Sequence, residues 1–176
     1  PNLELGSEIA VDTETLGLKF SRDRLCLVQL ADSKGAVYLI QIEKNQKDAP
    51  NLAKVMTNEK IVKILHYARF DIGVLSESLH FMTRNIYCTK IASKLGRTYS
   101  QSHGLKNLVK EILSIDISKE QQSSYWGAQV LSEDQINYAK QDVLYLHKIK
   151  EQLDEILIRE NRYDIFQKTC NFLPIR

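Results

Sequence analysis

The chain has 176 residues, 43% hydrophobic and 26% charged, long and apolar enough to bury a core without disulfides or a structural metal, which excludes intrinsic disorder. No apolar run approaches the roughly 20 residues of a membrane span, and the opening PNLELGSEIAVDTE lacks a basic-then-apolar leader, so a soluble cytoplasmic protein without a membrane partner is expected. Twenty-four basic against 22 acidic residues leave +2, too balanced to advertise a long nucleic-acid groove, and three cysteines without CxxC or Cys/His spacing read as reduced thiols, Cys26 and Cys88 in the core.

In chain order, Glu8 to Thr13, Leu25 to Ala31 and Ala36 to Ile40 carry strand signals, the last two separated by the polar turn Asp32-Ser33-Lys34-Gly35, which predicts an antiparallel meander. Pro50 suits a first helical turn before a short helix over Asn51 to Thr57, and Lys60 to His66 (KIVKILH) reads as a buried strand. A helix from about Ala68 to Leu79 and a short strand, Ile86 to Cys88, follow. From there the pattern is helical: Thr89 to Leu95, Leu105 to Leu113, and one long element from Glu133 to about Glu160. The long element opens with Ser132 and Gln135 in the S-x-x-Q capping pattern. No repeat or linker interrupts the chain, so one domain over residues 1–176 is expected. Strands followed by alternating helices and strands predict an α/β fold with a mixed sheet, an antiparallel meander plus parallel strands, flanked by helices.

Asp12 and Glu14 stand two apart at the end of the first strand, and the period of two puts them on one face. Partly buried, two such carboxylates repel each other and lose hydration unless a cation compensates, and divalent metal fits; equally, a lone D-x-E can be a solvated loop acid beside a turn cap. Asp71 falls in the first turn of a helix, where an acid also simply complements the helix dipole. Tyr138 and Asp142, four apart in the capped helix, share a face, as surface pairs and core tyrosines also do. Hard oxygen donors select Mg²⁺ or Mn²⁺ over softer-ligand metals.

The segments IAVDTETLGL, HYARFD and YAKQD resemble, in order and spacing, the three exonuclease motifs of the tyrosine-bearing branch of the DEDD superfamily, which includes RNase D and polymerase proofreading domains. Further segments, RDRLCLVQL, APNL, YCTKIASKLGRTY, HGLK, ISKEQQSSYW and DVLYLH, extend the likeness over nearly the whole chain to the stand-alone oligoribonucleases of that branch. RNase D carries additional carboxy-terminal helical domains for which 176 residues leave no room. The resemblance implies a ribonuclease H-like fold and a 3′-5′ exoribonuclease using two divalent ions. Asp12, Glu14 and Asp142 would bind the ion nearer the nucleophile, Asp12 and Asp71 the second, and Tyr138 would orient the attacking water. Products would be nucleoside 5′-monophosphates. One departure stands out: Tyr125 precedes Trp126 where the resemblance implies an acid, which bears on local loop geometry or a subunit contact rather than on the metal positions.

With +2 overall and 8% aromatic residues, no track for long strands is evident, so a short pocket is expected. The resemblance points to very short single-stranded RNA, dinucleotides above all, with Leu16 or Leu18 as a wedge against the 3′ base. Arg97, Tyr99, Ser100 and His103, in a polar loop opening a helix near Gly104, are the candidate cap for the 5′ phosphate. His66 is a candidate neighbour of the site. Trp126 reads as a base-stacking residue or a loop anchor, and His80 and His147 as surface positions. A tail containing Phe166, Phe172, Leu173 and Ile175 predicts a homo-oligomer, and the resemblance implies an octameric ring. RNase D-like trimming of longer RNA, action on DNA, or a binding module without chemistry are the competing readings.

Overall fold

In the computed structural model residues 5–118 and 120–175 are described. Five strands form one mixed sheet in the order β3-β2-β1-β4-β5. The strands are β1 (Glu8–Thr15), β2 (Leu25–Asp32), β3 (Val37–Gln41), β4 (Val62–Leu65) and β5 (Ile86–Cys88). As expected, β1, β2 and β3 are an antiparallel meander, while β1, β4 and β5 run parallel. Every residue of β2 is buried, because helices cover both faces of the central sheet.

The helices are α1 (Pro50–Met56), α2 (Arg69–Leu79), α3 (Thr89–Gly96), α4 (Leu105–Leu113), α5 (Glu133–Leu144), α6 (Leu146–Arg159) and α7 (Tyr163–Phe172). The expected long carboxy-terminal helix is in fact two, divided at Tyr145. The division has a packing cause: α5 lies on β1, β2 and β3, whereas α6 lies on α3, α4 and β4, and one straight rod cannot follow both surfaces. The Ser132 side chain accepts from the Gln135 backbone N–H and the Gln135 side chain from the Ser132 N–H, the reciprocal cap that the sequence predicts.

The carboxy-terminal tail is α7 rather than a loose segment. Phe166, Cys170 and Leu173, at helical spacing, are buried, and the Phe166 ring centroid lies 4.6 Å from that of Tyr87. Phe172 and Ile175 are exposed, together with Ile158 and Ile165. Cys26, Cys88 and Cys170 are all buried free thiols, and burial pushes Cys170 up to about 12. No helix among the described residues is long and apolar enough to cross a membrane.

The site follows from register. Strand β4 pairs with β1 only from Glu8 to Ala10, so Asp12 to Thr15 continue past it with β2 alone beside them. The chain turns from β4 into α2 at that level, and a gap opens at the carboxyl ends of the parallel strands, next to the point where the sheet changes from antiparallel to parallel.

Candidate active site

A cleft of about 790 Å³ occupies this gap, and its lining includes Asp12, Glu14, Asp71, Tyr138 and Asp142, gathered from β1, α2 and α5. One carboxylate oxygen each from Asp12, Glu14 and Asp142 lie within 4.8 Å of one another. Glu14 is buried inside β1, not in a solvated loop. Its Oε1 accepts from Gln29 Nε2 on β2 at 3.4 Å. Asp71, buried in the first turn of α2, accepts from Thr13 Oγ1 at 2.6 Å, so the β1 residue between Asp12 and Glu14 fixes the fourth acid.

Tyr138 is held by packing. Its ring centroid is 6.0 Å from that of buried Trp126, and both sit with Cys26, Leu27 and Ala139 in a small apolar cluster against β2. Trp126 is therefore an anchor rather than a base platform. Burial and the carboxylates of Asp142, Glu14 and Asp12 push the Tyr138 phenol above its ordinary value, so it stays protonated and can direct a proton without giving it up.

Burial and mutual repulsion raise these acids. Desolvation, then the neighbouring Asp71, Asp142 and Glu14, raises Asp12 well above the carboxylate range. Burial followed by Asp142 and Asp71 pushes Glu14 to about 9. Burial also raises Asp71 to about 7 against the opposing hydrogen bond from Thr13. Carboxylates clustered in this way, Glu14 and Asp71 buried and Asp12 and Asp142 half-buried, are all hard oxygen donors and fit a divalent cation, which offsets both the repulsion and the lost hydration.

Of the substrate residues expected from sequence, Leu16, Leu18 and His66 line the cleft. Neither leucine is core: Leu16 is 40% and Leu18 81% exposed. His66 Nδ1 lies 3.0 Å from Thr89 Oγ1, which is also 3.2 Å from the Leu65 carbonyl. Beside His66, Tyr67 takes a left-handed φ of 63°, and Lys90 Nζ lies 4.1 Å from its ring centroid. His147 is half-buried against the Glu8 carbonyl, not a surface position, whereas His80 is exposed.

The residues expected to cap the phosphate, Arg97, Tyr99, Ser100 and His103, lie outside the cleft lining. Arg97 is only 2% exposed, and its guanidinium donates to Ser93 Oγ, the Ser102 carbonyl and Glu111. His103 Nδ1 shares Ser93 Oγ at 2.8 Å, Ser100 Oγ accepts from the Ser102 N–H, and Tyr99 is exposed outside the cleft lining. Arg97 thus braces this loop against α4 through Ser93, Ser102 and Glu111. Arg97→Ala is expected to destabilise the fold by about 2 kcal/mol, at the low end for a broken buried pair because Glu111 stays 45% exposed and can rehydrate. The melting temperature should fall by several degrees while the substrate-length profile stays as in wild type, and a flattened profile would restore Arg97 to the cap.

What the sequence did not single out as lining are Lys90 and Lys106, which reach the cleft from α3 and α4, and, in the 117–125 segment, Gln122, Ser123 and Ser124, which line it beside Tyr125, the residue noted above as a departure. Gln135 ties this segment to α5: its Nε2 donates to Ser124 Oγ at 2.9 Å and to the Tyr125 carbonyl at 3.2 Å. Isolated lysines and serines in loops carry no local signal of this convergence.

The chain, a mixed five-stranded α/β sheet with acids gathered from a strand end and a capped helix, belongs to the 3′-5′ exonuclease family, whose profile matches residues 2–158. It is similar to Brucella melitensis NrnC bound to pGG, with 48% identity, 99% of this chain and 85% of that chain covered, and a TM-score of 0.95. The Mg²⁺-bound form of the same Brucella protein has 46% identity, 99% and 86% coverage and a TM-score of 0.94. Among curated relatives, ribonuclease D of Gluconacetobacter diazotrophicus is 31% identical over 89% of this chain, which spans 39% of that relative's length.

Proposed function

We propose that this chain is a metal-dependent 3′-5′ exoribonuclease of the tyrosine-bearing DEDD branch, acting as one domain on very short single-stranded RNA, dinucleotides preferred, and releasing nucleoside 5′-monophosphates. The observation that carries the reading is the convergence of Asp12, Glu14, Asp71, Asp142 and Tyr138 on one cleft. Asp12, Glu14 and Asp142 would hold one divalent ion, and Asp12 with Asp71 a second, Mg²⁺ or Mn²⁺. Metal bound there supplies activation of the attacking water and compensation of charge at the scissile phosphate. Tyr138, protonated and fixed by Trp126, orients that water from α5. Gln29 and Thr13 keep Glu14 and Asp71 aimed at the cleft. Leu16 or Leu18 separates the bases, and Lys90 and Lys106 replace Arg97 and His103 as the groups nearest to a 5′ phosphate.

The likeness to a Brucella protein bound to pGG supports the short substrate, as does a cleft whose cations are few and local. End-labelled RNAs of two to about twenty nucleotides, with a matched DNA series, test the preference. The dinucleotide is expected to turn over fastest at equal concentration of ends, and a rate rising with length contradicts it.

We further propose a cytoplasmic homo-oligomer, an octamer, with exposed Ile158, Ile165, Phe172 and Ile175 as its contact surface. Light scattering coupled to size exclusion is expected to give eight times the chain mass of 20.3 kDa; a monomer at micromolar concentration contradicts it. Phe172→Asp should shift that mass downward without unfolding the chain, since its side chain is outside the core.

A further inference from the structure

We infer that Tyr125 determines substrate affinity by presenting its ring, together with Leu16, as an apolar shelf on which a nucleobase of the substrate stacks. The inference rests on the exonuclease reading of the cleft. Tyr125 is 67% exposed yet belongs to the cleft lining beside Leu16. A single exposed tyrosine ordinarily needs no explanation, but this one sits on a backbone that is pinned on several sides. Gln135 Nε2 donates to the Tyr125 carbonyl at 3.2 Å, Arg24 Nη2 to the Gly127 carbonyl at 3.4 Å, and Gln41 Nε2 to the Ala128 carbonyl at 3.2 Å. The adjacent Trp126 is driven into the core against Tyr138, so the neighbouring Tyr125 side chain is turned outward.

The seat of the ring is Gly127. A Cβ placed there would stand 2.9 Å from both Cζ and Oη of Tyr125 and 3.3 Å from Cδ2 of Leu16. The absence of a side chain at Gly127 therefore leaves room for the phenol end of Tyr125 and for the Leu16 side chain to approach the same backbone position, so the two exposed side chains flank one spot on the cleft wall. A rigidly mounted aromatic face in a nucleotide-sized cleft loses little conformational freedom on binding and suits the face of any base. Tyr125 is not one of the acids that gather to hold metal, so the effect expected of it is on binding rather than turnover.

The experiment uses a 5′-phosphorylated dinucleotide and two analogues, each with one base replaced by an abasic ribose, with wild type, Tyr125→Phe, Tyr125→Ala and Gly127→Ala. In wild type, removing the stacked base should raise KM by roughly tenfold, the scale of one base–aromatic stack. Tyr125→Ala should raise KM for the intact dinucleotide by the same factor, keep kcat within about twofold, and show no further loss on the analogue lacking the stacked base. Tyr125→Phe should behave as wild type, and Gly127→Ala, whose methyl displaces the ring, should behave as Tyr125→Ala. Equal losses on all three substrates, a fall in kcat instead of a rise in KM, or a change confined to oligomeric mass overturns the inference. Calorimetric binding of the same three dinucleotides in Ca²⁺ separates it from the reading on which it rests. If wild type cleaves none of them, the exonuclease reading fails, and unchanged binding by Tyr125→Ala then overturns the shelf as well.

Discussion

Asp12→Ala or Asp142→Asn is expected to lower dinucleotide cleavage by at least about a thousandfold, while the metal-free protein melts at or above the wild-type temperature. The rate follows from losing a metal ligand, a contribution of several kcal/mol to a charged transition state at about 1.4 kcal/mol per factor of ten. The stability follows from the opposite sign of the same interactions without metal. Asp12 is raised first by desolvation and then by Asp71, Asp142 and Glu14, so deleting a member of the cluster relieves repulsion among the acids that remain. Single-turnover cleavage and thermal melts in chelator measure the two halves. Turnover like that of wild type in either variant contradicts the metal assignment.

The metal-free protein should lose stability as pH rises from 6 to 9, and divalent metal should restore it most at the high end. Glu14 near 9 and Asp71 near 7 lie above their unfolded values, so the folded chain holds more protons than the unfolded chain across this window, and its advantage is lost as those protons leave. A cation takes the place of the protons. At a hundred times its dissociation constant it adds about 2.7 kcal/mol, or roughly 5–10 °C for a chain of this size. Melts at pH 6 and 9, in chelator and in Mn²⁺, give the result directly; a flat profile in chelator with no response to Mn²⁺ contradicts it.

What was legible in the sequence is what local rules determine. The period of two in EIAVDTET set Asp12 and Glu14 on one face, and the Ser132–Gln135 pattern fixed the start of the helix carrying Tyr138 and Asp142. The break at Tyr145 was not legible, since Ala139, Val143, Leu146, Ile149 and Leu153 keep a helical rhythm through it; only the change of packing partner from the sheet to α3 and α4 divides the helix. The period of Phe166, Cys170 and Leu173 was present, and a tail with several aromatics masked it. The surroundings of Arg97 were not legible either: an arginine in a polar loop suits phosphate, but its pairing with Glu111 of the following helix spans 14 residues and no local pattern reveals it. Lys90 and Lys106 reach the cleft only through the packing of α3 and α4 around the sheet.

The central claim is that these acids hold divalent metal for hydrolysis from a 3′ end. The most direct measurement is the product ladder of a 5′-labelled tetranucleotide with a free 3′ hydroxyl, in Mg²⁺ or Mn²⁺, beside a 3′-phosphorylated copy and a chelator control. The account predicts stepwise shortening with the label retained to a final 5′-monophosphate, much slower cleavage of the blocked copy, and none in chelator. Label released as mononucleotide in the first step, internal cuts, or cleavage that persists in chelator would contradict it.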